Sequence, residues 1–244
     1  MRALGLLRLA FEVVLVALVV GLLLRPPRVT AMWHESVIVS VPVKEKLVAL
    51  TYDDGPHPAF TPDILAILDR YHVNATFFMI GQRMQQYPEI VKEVVAQGHA
   101  IGNHTYSHPR EIAGLTSAQV IRELDTCEEL IERFTGRRTH LFRPPLGLMN
   151  SRVLMVAREE GYLTILWTVS ADHHDAPTPQ AMAERVLRGV KPGSIILAHD
   201  GTFPSRINDV EATPLIIEEL QKRGYRFVTV PELLAAAREP EVPT

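Results

Sequence analysis

Three times in this chain a glycine closes a helical pattern and a strand-like run follows at once: Gly98-His99-Ala100-Ile101, Gly161-Tyr162-Leu163-Thr164-Ile165-Leu166-Trp167 and Gly224-Tyr225-Arg226-Phe227-Val228-Thr229-Val230. Glycine accepts the left-handed conformation that ends a helix, and a strand that restarts after each return helix lies parallel to the one before it. Alternating helices and parallel strands are therefore the main constraint on the fold. Leu47 to Tyr52 reads as a buried strand, Thr61-Pro62 opens a helix to about Tyr71, and Asn74 to Gly81 reads as a strand. Residues 87–97, 178–188 and 209–222 are expected as helices, and Pro231 opens a last one. Val120, Leu124, Cys127, Ile131 and Phe134 recur at helical spacing behind Thr116 and Gln119, a capping-box pair. This places Cys127, the only cysteine, on an apolar helix face, and a single cysteine excludes an intramolecular disulfide and a thiolate metal site.

Two features carry chemistry. Asp53 and Asp54 emerge from the first strand in Thr51-Tyr52-Asp53-Asp54-Gly55-Pro56, and His104-Thr105-Tyr106-Ser107-His108 comes about fifty residues later. Taken singly, the first is an ordinary turn and the second a pair of solvated histidines. Taken together, two imidazoles and one carboxylate make a three-ligand catalytic metal site with a position open for water, and the other aspartate is left to accept a proton. Gly102, Asn103 and Pro109 put the histidine pair on a loop or single turn, where functional residues concentrate.

Further on stand Arg143-Pro144-Pro145-Leu146-Gly147 and, at another strand end, Ile195-Ile196-Leu197-Ala198-His199-Asp200-Gly201. With these the chain resembles the NodB-type polysaccharide deacetylases, carbohydrate esterase family four, over roughly residues 45 to 238, matching four of five motifs in order. The resemblance implies an α/β fold, a distorted β/α barrel of about seven parallel strands. It implies Asp53 as general base, Asp54, His104 and His108 as metal ligands, Arg143 as the residue that orients the base, and His199 as general acid. It places the Leu146 N–H at the oxyanion, Leu197 in the acetyl pocket, and Pro144 and Pro145 beside the substrate. The implied cofactor is a divalent cation, zinc first, with cobalt, manganese or nickel as alternatives that two histidines and a carboxylate also suit.

The fourth motif departs from the family. Counting from Trp167, the expected aspartate and tryptophan fall on His173 and His174, leaving Asp172 or Asp175 to take the aspartate's part of holding Arg143, and the arginine loosely held if neither does. The lost tryptophan also removes a platform for a sugar ring.

An apolar stretch from Leu9 to Leu24, broken only by Glu12, stands between Arg8 and Arg25. It is read as a signal anchor over residues 1–28 that holds an extracytoplasmic domain at the cell membrane, with secretion after cleavage near Ala31 as the alternative. Residues 29–44 are a linker and lead-in strand, 45–238 the deacetylase domain and 239–244 a tail. The chain's 25 basic and 28 acidic residues give a net charge of −3; without the four arginines and one glutamate of residues 1–28, 21 face 27, a net of −6. With no basic run, a nucleic-acid partner is excluded. The expected function is removal of N-acetyl groups from N-acetylglucosamine-type residues of an extracytoplasmic polysaccharide, peptidoglycan or chitin-like. The alternatives are a carbohydrate-binding domain with lapsed catalysis and an O-acetyl sugar esterase, although no Gly-x-Ser-x-Gly elbow is present.

Overall fold

The computed structural model describes residues 37–171 and 177–237. Among them one sheet holds β1 (Leu47–Asp53), β2 (Thr76–Met79), β3 (Ala100–Asn103), β4 (Leu141–Phe142), β5 (Leu163–Thr164), β6 (Val169–Ser170), β7 (Ser194–His199) and β8 (Arg226–Phe227). Every pairing between these strands is parallel, as the glycine rhythm requires. Seven strands follow the order β5-β4-β3-β2-β1-β7-β6, and β8 pairs with the start of β1. The architecture is a half-barrel of parallel strands rather than a regular closed ring. Its open side is crossed by the lead-in segment, where Ile38 bridges to Ile165 and Ser40 to Ser194.

The helices are α1 (Thr61–Arg70), α2 (Gly81–Gln86), α3 (Pro88–Ala96), α4 (Ser117–Thr135), α5 (Ser151–Glu159), α6 (Pro179–Gly189), α7 (Ile207–Lys222) and α8 (Val230–Ala236). The Thr116 capping box of α4 is formed in both directions, and Gly136 ends the helix in the left-handed conformation. Cys127 is fully buried on its inner face, and burial pushes the thiol well above its ordinary range. Three expectations are corrected. The run expected as a strand through Val230 narrows to Arg226–Phe227, because Thr229 caps α8 and Val230 begins it. The strand expected to reach Gly81 stops at Met79, because Gly81 begins α2 and its N–H donates to Thr105 O at 3.0 Å. The strand expected through Trp167 narrows to Leu163–Thr164, since the Ile165 and Leu166 carbonyls turn to Arg143 and the Leu166 N–H to Ile38 O.

Strand alternation sorts the barrel's two sides. Val48, Leu50 and Tyr52 of β1 join Phe77, Met79, Ile196 and Ala198 in the core that packs under α1, α3 and α7. Thr51 and Asp53, two apart, share the opposite face and both meet Arg143 inside the barrel. A second core of Val120, Leu124, Phe142, Val153 and Tyr162 fills the space beneath α4 and α5. The apolar N-terminal stretch and the tail at 239–244 lie outside the described residues, within which no helix is long and apolar enough to cross a membrane.

His99 ties the entry of β3 to β2: its Nδ1 accepts the Ala75 N–H at 3.2 Å and its ring tilts against Phe77. That bond needs neutral imidazole, and burial lowers the His99 pKa from 6.5 to about 4. The folded state therefore binds fewer protons than the unfolded chain between these values, and the stability present above pH 6.5 is lost as pH falls toward 4. A His99→Gln variant should flatten the fall between those limits, by up to about 3 kcal/mol in urea unfolding measured across that pH range.

Candidate active site

The carboxyl ends of the parallel strands carry the chemistry, as the strand-end position of the aspartates implied. Asp53 closes β1 and is buried; Asp54 follows it in the left-handed region at φ 74°. Gly201, next to β7, permits this placement: a Cβ there would lie 2.4 Å from the Asp54 Cβ. His104 follows β3 directly, and the loop that brings back His108 is closed by the His108 N–H donating to Thr105 Oγ1 at 3.1 Å. Thr105 and His108 also have positive φ, at 67° and 56°. Such backbone strain collects at functional sites.

These turns bring Asp54, His104 and His108 together, with one ligand atom from each within 4.8 Å of the others. Asp54 Oδ1 stands 3.1 Å from His108 Nε2 and 3.4 Å from His104 Nε2. His104 Nδ1 lies 2.7 Å from the Arg143 carbonyl, which can only accept, so Nδ1 carries the proton and Nε2 is the nitrogen turned to the centre. Burial works against charge on Asp54, but its hydrogen bonds with His104 and His108 outweigh that and hold it far below the usual carboxylate range. Burial likewise opposes charge on His104, while Asp53 and Asp54 raise its pKa above the ordinary value. A carboxylate and two oriented imidazoles of this kind fit a divalent cation of the zinc class.

Arg143 lies fully buried beside the centre. Its Nη1 donates to Asp53 Oδ1 at 2.6 Å and Thr51 Oγ1 at 2.8 Å, its Nε to Ile165 O at 3.1 Å, and its Nη2 to Leu166 O at 3.0 Å. The guanidinium is stacked 4.0 Å from the Phe78 ring. Phe78 has room because Gly102 lacks a side chain; a Cβ there would sit 2.5 Å from the ring. The arginine is thus firmly held by main-chain carbonyls and a threonine, which corrects the expectation of a loosely held side chain. Asp172, His173 and Asp175 lie outside the described residues.

A cavity of about 940 Å³ opens over these groups and is lined by Asp53, Asp54, Leu146, Trp167, Leu197 and His199, among others. Leu146 is exposed on its wall with φ 57°, whereas Pro144 and Pro145 are buried and do not line it; they shape the turn that displays Leu146. Asp53 and His199 are paired in the β1–β7 register, so they end adjacent strands. The His199 N–H donates to Asp209 Oδ1 at 3.0 Å. Sequence reasoning did not find Asp209, Arg206 or Asp200. Buried Arg206 reaches Asp209 at 3.7 Å and Asp54 at 3.9 Å. Asp200 accepts from Thr61 Oγ1 at 2.6 Å, and burial raises its pKa to about 7, with Asp54 and Asp53 adding to the rise. The adjacency of Asp200 to His199 was the one available signal; Arg206 stands just before α7 and Asp209 in its first turn, and neither belongs to a motif.

A parallel half-barrel whose strand ends carry two imidazoles, two carboxylates and a clamped arginine offers the side chains that a metal-centre hydrolase uses. The polysaccharide deacetylase family model matches residues 40–165. A peptidoglycan-N-acetylglucosamine deacetylase of Bacillus cereus is 41% identical over 196 residues, covering 80% of this chain and 91% of that protein. A crystal structure of a peptidoglycan N-acetylglucosamine deacetylase superposes with TM-score 0.76 at 36% identity, over 80% of this chain and 91% of the other. That of a CE4 family pseudoenzyme from Bacillus anthracis superposes with TM-score 0.74 at 30% identity, over 82% and 69%. The chain belongs to the polysaccharide deacetylase family, the CE4 hydrolases.

Thr51 is the neutral side chain of the arginine clamp; its hydroxyl also donates to Ile196 O at 2.8 Å. Thr51→Val keeps the volume but leaves an Arg143 hydrogen unmet and removes the hydroxyl's bond to the Ile196 carbonyl, so urea unfolding should show a loss of about 1–3 kcal/mol. In the folded variant, kcat should fall by about tenfold with little change in KM, because misaim of Asp53, the base that the family resemblance implies, costs the transition state more than the ground state.

Proposed function

We propose that the chain removes N-acetyl groups from N-acetylglucosamine-type residues of peptidoglycan, using a divalent cation, zinc in the first place, held by Asp54, His104 and His108. The observation that carries this reading is the meeting of those ligands beside an aspartate that Arg143 holds at 2.6 Å. The printed activity of the Bacillus cereus relative supports the choice of polymer.

When bound, such a cation lowers the pKa of water and polarises a carbonyl. The chain's own residues supply the rest. Asp53, kept aligned by Arg143, accepts a proton from the attacking water. The Leu146 N–H, displayed by the turn at Pro145, is placed to donate to the oxyanion. Leu197 takes the acetyl methyl, and His199, at the end of the neighbouring strand, gives a proton to the departing amine. The same reading extends to the rest of the chain. Residues 1–28 anchor it in the cell membrane with the domain at 45–238 outside, 29–44 serve as linker and lead-in, and 239–244 form a tail. Release after cleavage near Ala31 is the second possibility for this segment.

Likeness to a pseudoenzyme favours one competing reading, a glycan binder without turnover. Acetate release from peptidoglycan and N-acetylglucosamine oligomers, assayed with and without chelator, separates the two. Chelator should abolish release and added zinc restore it. Asp53→Asn should retain the metal and lose activity by at least about a thousandfold, while His104→Ala should weaken metal binding itself by at least about tenfold, read by metal titration. Metal and glycan binding with no acetate from the wild type would support the binder instead.

A further inference from the structure

We propose that the cavity flank formed by α2 and the loop around His108 is a subsite for a carboxylate borne by a substituent of the glycan, with Arg83 and Arg110 as its cations. The proposal rests on the deacetylase reading of the same site.

Arg83 and Arg110 line the cavity together with Gln82, Gln86 and Ser107. Among the described residues, the carboxylates on the lining are Asp53 and Asp54 alone. Both are engaged elsewhere: Asp53 with Arg143, and Asp54 with His104, His108 and Arg206. Glu123, behind this flank, accepts the N–H and hydroxyl of Ser107 at 2.8 and 2.7 Å. No described carboxylate pairs with Arg83 or Arg110.

That arrangement runs against the domain's own charge, which is −6 once residues 1–28 are set aside. Two unpaired cations on one wall of a cleft in an acidic domain focus potential there and draw anions to it. Guanidinium groups bind carboxylates through two parallel hydrogen bonds, and the amides of Gln82 and Gln86 add neutral donors and acceptors for the rest of such a substituent. The flank is also fixed relative to the metal ligands. Gly81 and Gln82 donate their N–H groups to Thr105 O and Tyr106 O at 3.0 and 2.9 Å, and Tyr106 Oη donates to Gln85 Oε1 at 3.0 Å. Both arginines therefore stand on the same braced unit as His104 and His108, so an anion held there sets the position of the acetyl group at the centre. A neutral N-acetylglucosamine oligomer has no carboxylate to offer these arginines. Peptidoglycan has two carboxylate sources, the acid on its muramic sugar and those of its attached peptides.

The test compares wild type with Arg83→Gln/Arg110→Gln, metal-loaded, on three substrates: N-acetylglucosamine oligomers, peptidoglycan fragments with peptides, and fragments whose peptides have been removed. The ratio of kcat/KM for fragments to that for oligomers should fall at least about tenfold in the double variant, and wild-type preference should shrink as salt is raised to about 0.5 M. Arginine dependence on both kinds of fragment assigns the sugar acid, and dependence only on the peptide-bearing kind assigns the peptide; either result supports the subsite. An unchanged ratio in a double variant with wild-type circular dichroism overturns it, while acetate release by the wild type leaves the deacetylase reading standing. If the wild type releases no acetate, that reading fails. Calorimetric binding of the same fragments to Asp53→Asn, with and without the arginine substitutions, then decides the subsite alone: an arginine-dependent preference for fragments supports it and none overturns it.

Discussion

Three carboxylates, Asp53, Asp54 and Asp200, crowd the carboxyl ends of β1 and β7, and the site depends on how their charges are kept from one another. Two like charges about 4 Å apart repel by about 4 kcal/mol at an effective dielectric near 20, a large share of a domain's stability. Each acid meets the problem differently. Asp53 takes the buried guanidinium of Arg143, Asp54 faces two imidazoles and Arg206, and Asp200 has its pKa raised to about 7 by burial, with Asp54 and Asp53 adding to the rise. The division of partners also divides labour. The acid bonded to a fixed cation is held in one orientation, which suits the proposed proton acceptor, while the acid facing imidazoles suits the proposed metal ligand.

Strand register sets this division. Asp53 pairs with Phe78 on one side and with His199 on the other, so the ring that carries Arg143 and the proposed acid lie on the two strands flanking the proposed base. A slip of one residue would turn Asp53 toward the helices and bring Tyr52 into the barrel. What resists the slip lies far from the chemistry: Val48, Leu50 and Tyr52 are fully buried under the helices, and the Tyr52 hydroxyl bonds Thr213 at 2.9 Å. The geometry at the strand ends thus follows from the hydrophobic packing of the opposite face.

The same distinction between local and distant partners explains what could be read from the sequence. The α4 helix, its Thr116 cap and the burial of Cys127 were legible because spacing within one segment determines them. So was the gathering of His104 and His108 with one of the two aspartates, which the family resemblance named as Asp54. The six residues of α2 were not, being too short for a helical period and adjoining an apolar strand. Arg206 and Asp209 meet each other within one turn, but their contacts with Asp54 and with the His199 N–H come from the ends of β1 and β7, which nothing in their own segment records. Most hidden were the carbonyls of Ile165 and Leu166 that grip Arg143, because a main-chain acceptor leaves no trace in residue identity.

That main-chain grip bears on the altered fourth motif. An arginine oriented by a carboxylate depends on one side chain being present; here the Ile165 N–H is bonded to Phe142 O at 2.8 Å and the Leu166 N–H to Ile38 O at 2.8 Å, so the peptides that present the two carbonyls are fixed by the barrel and its lead-in. Four of the guanidinium's five N–H groups are satisfied by described partners, and only one of those partners is charged. A buried cation stripped of its counter-ion ordinarily costs a fold about 3–5 kcal/mol. With three neutral acceptors and the Phe78 face still in contact, Arg143 retains much of its solvation even when Asp53 is protonated. The proposed base can therefore gain and lose a proton without the arginine leaving its place, as the positioning part proposed for Arg143 requires.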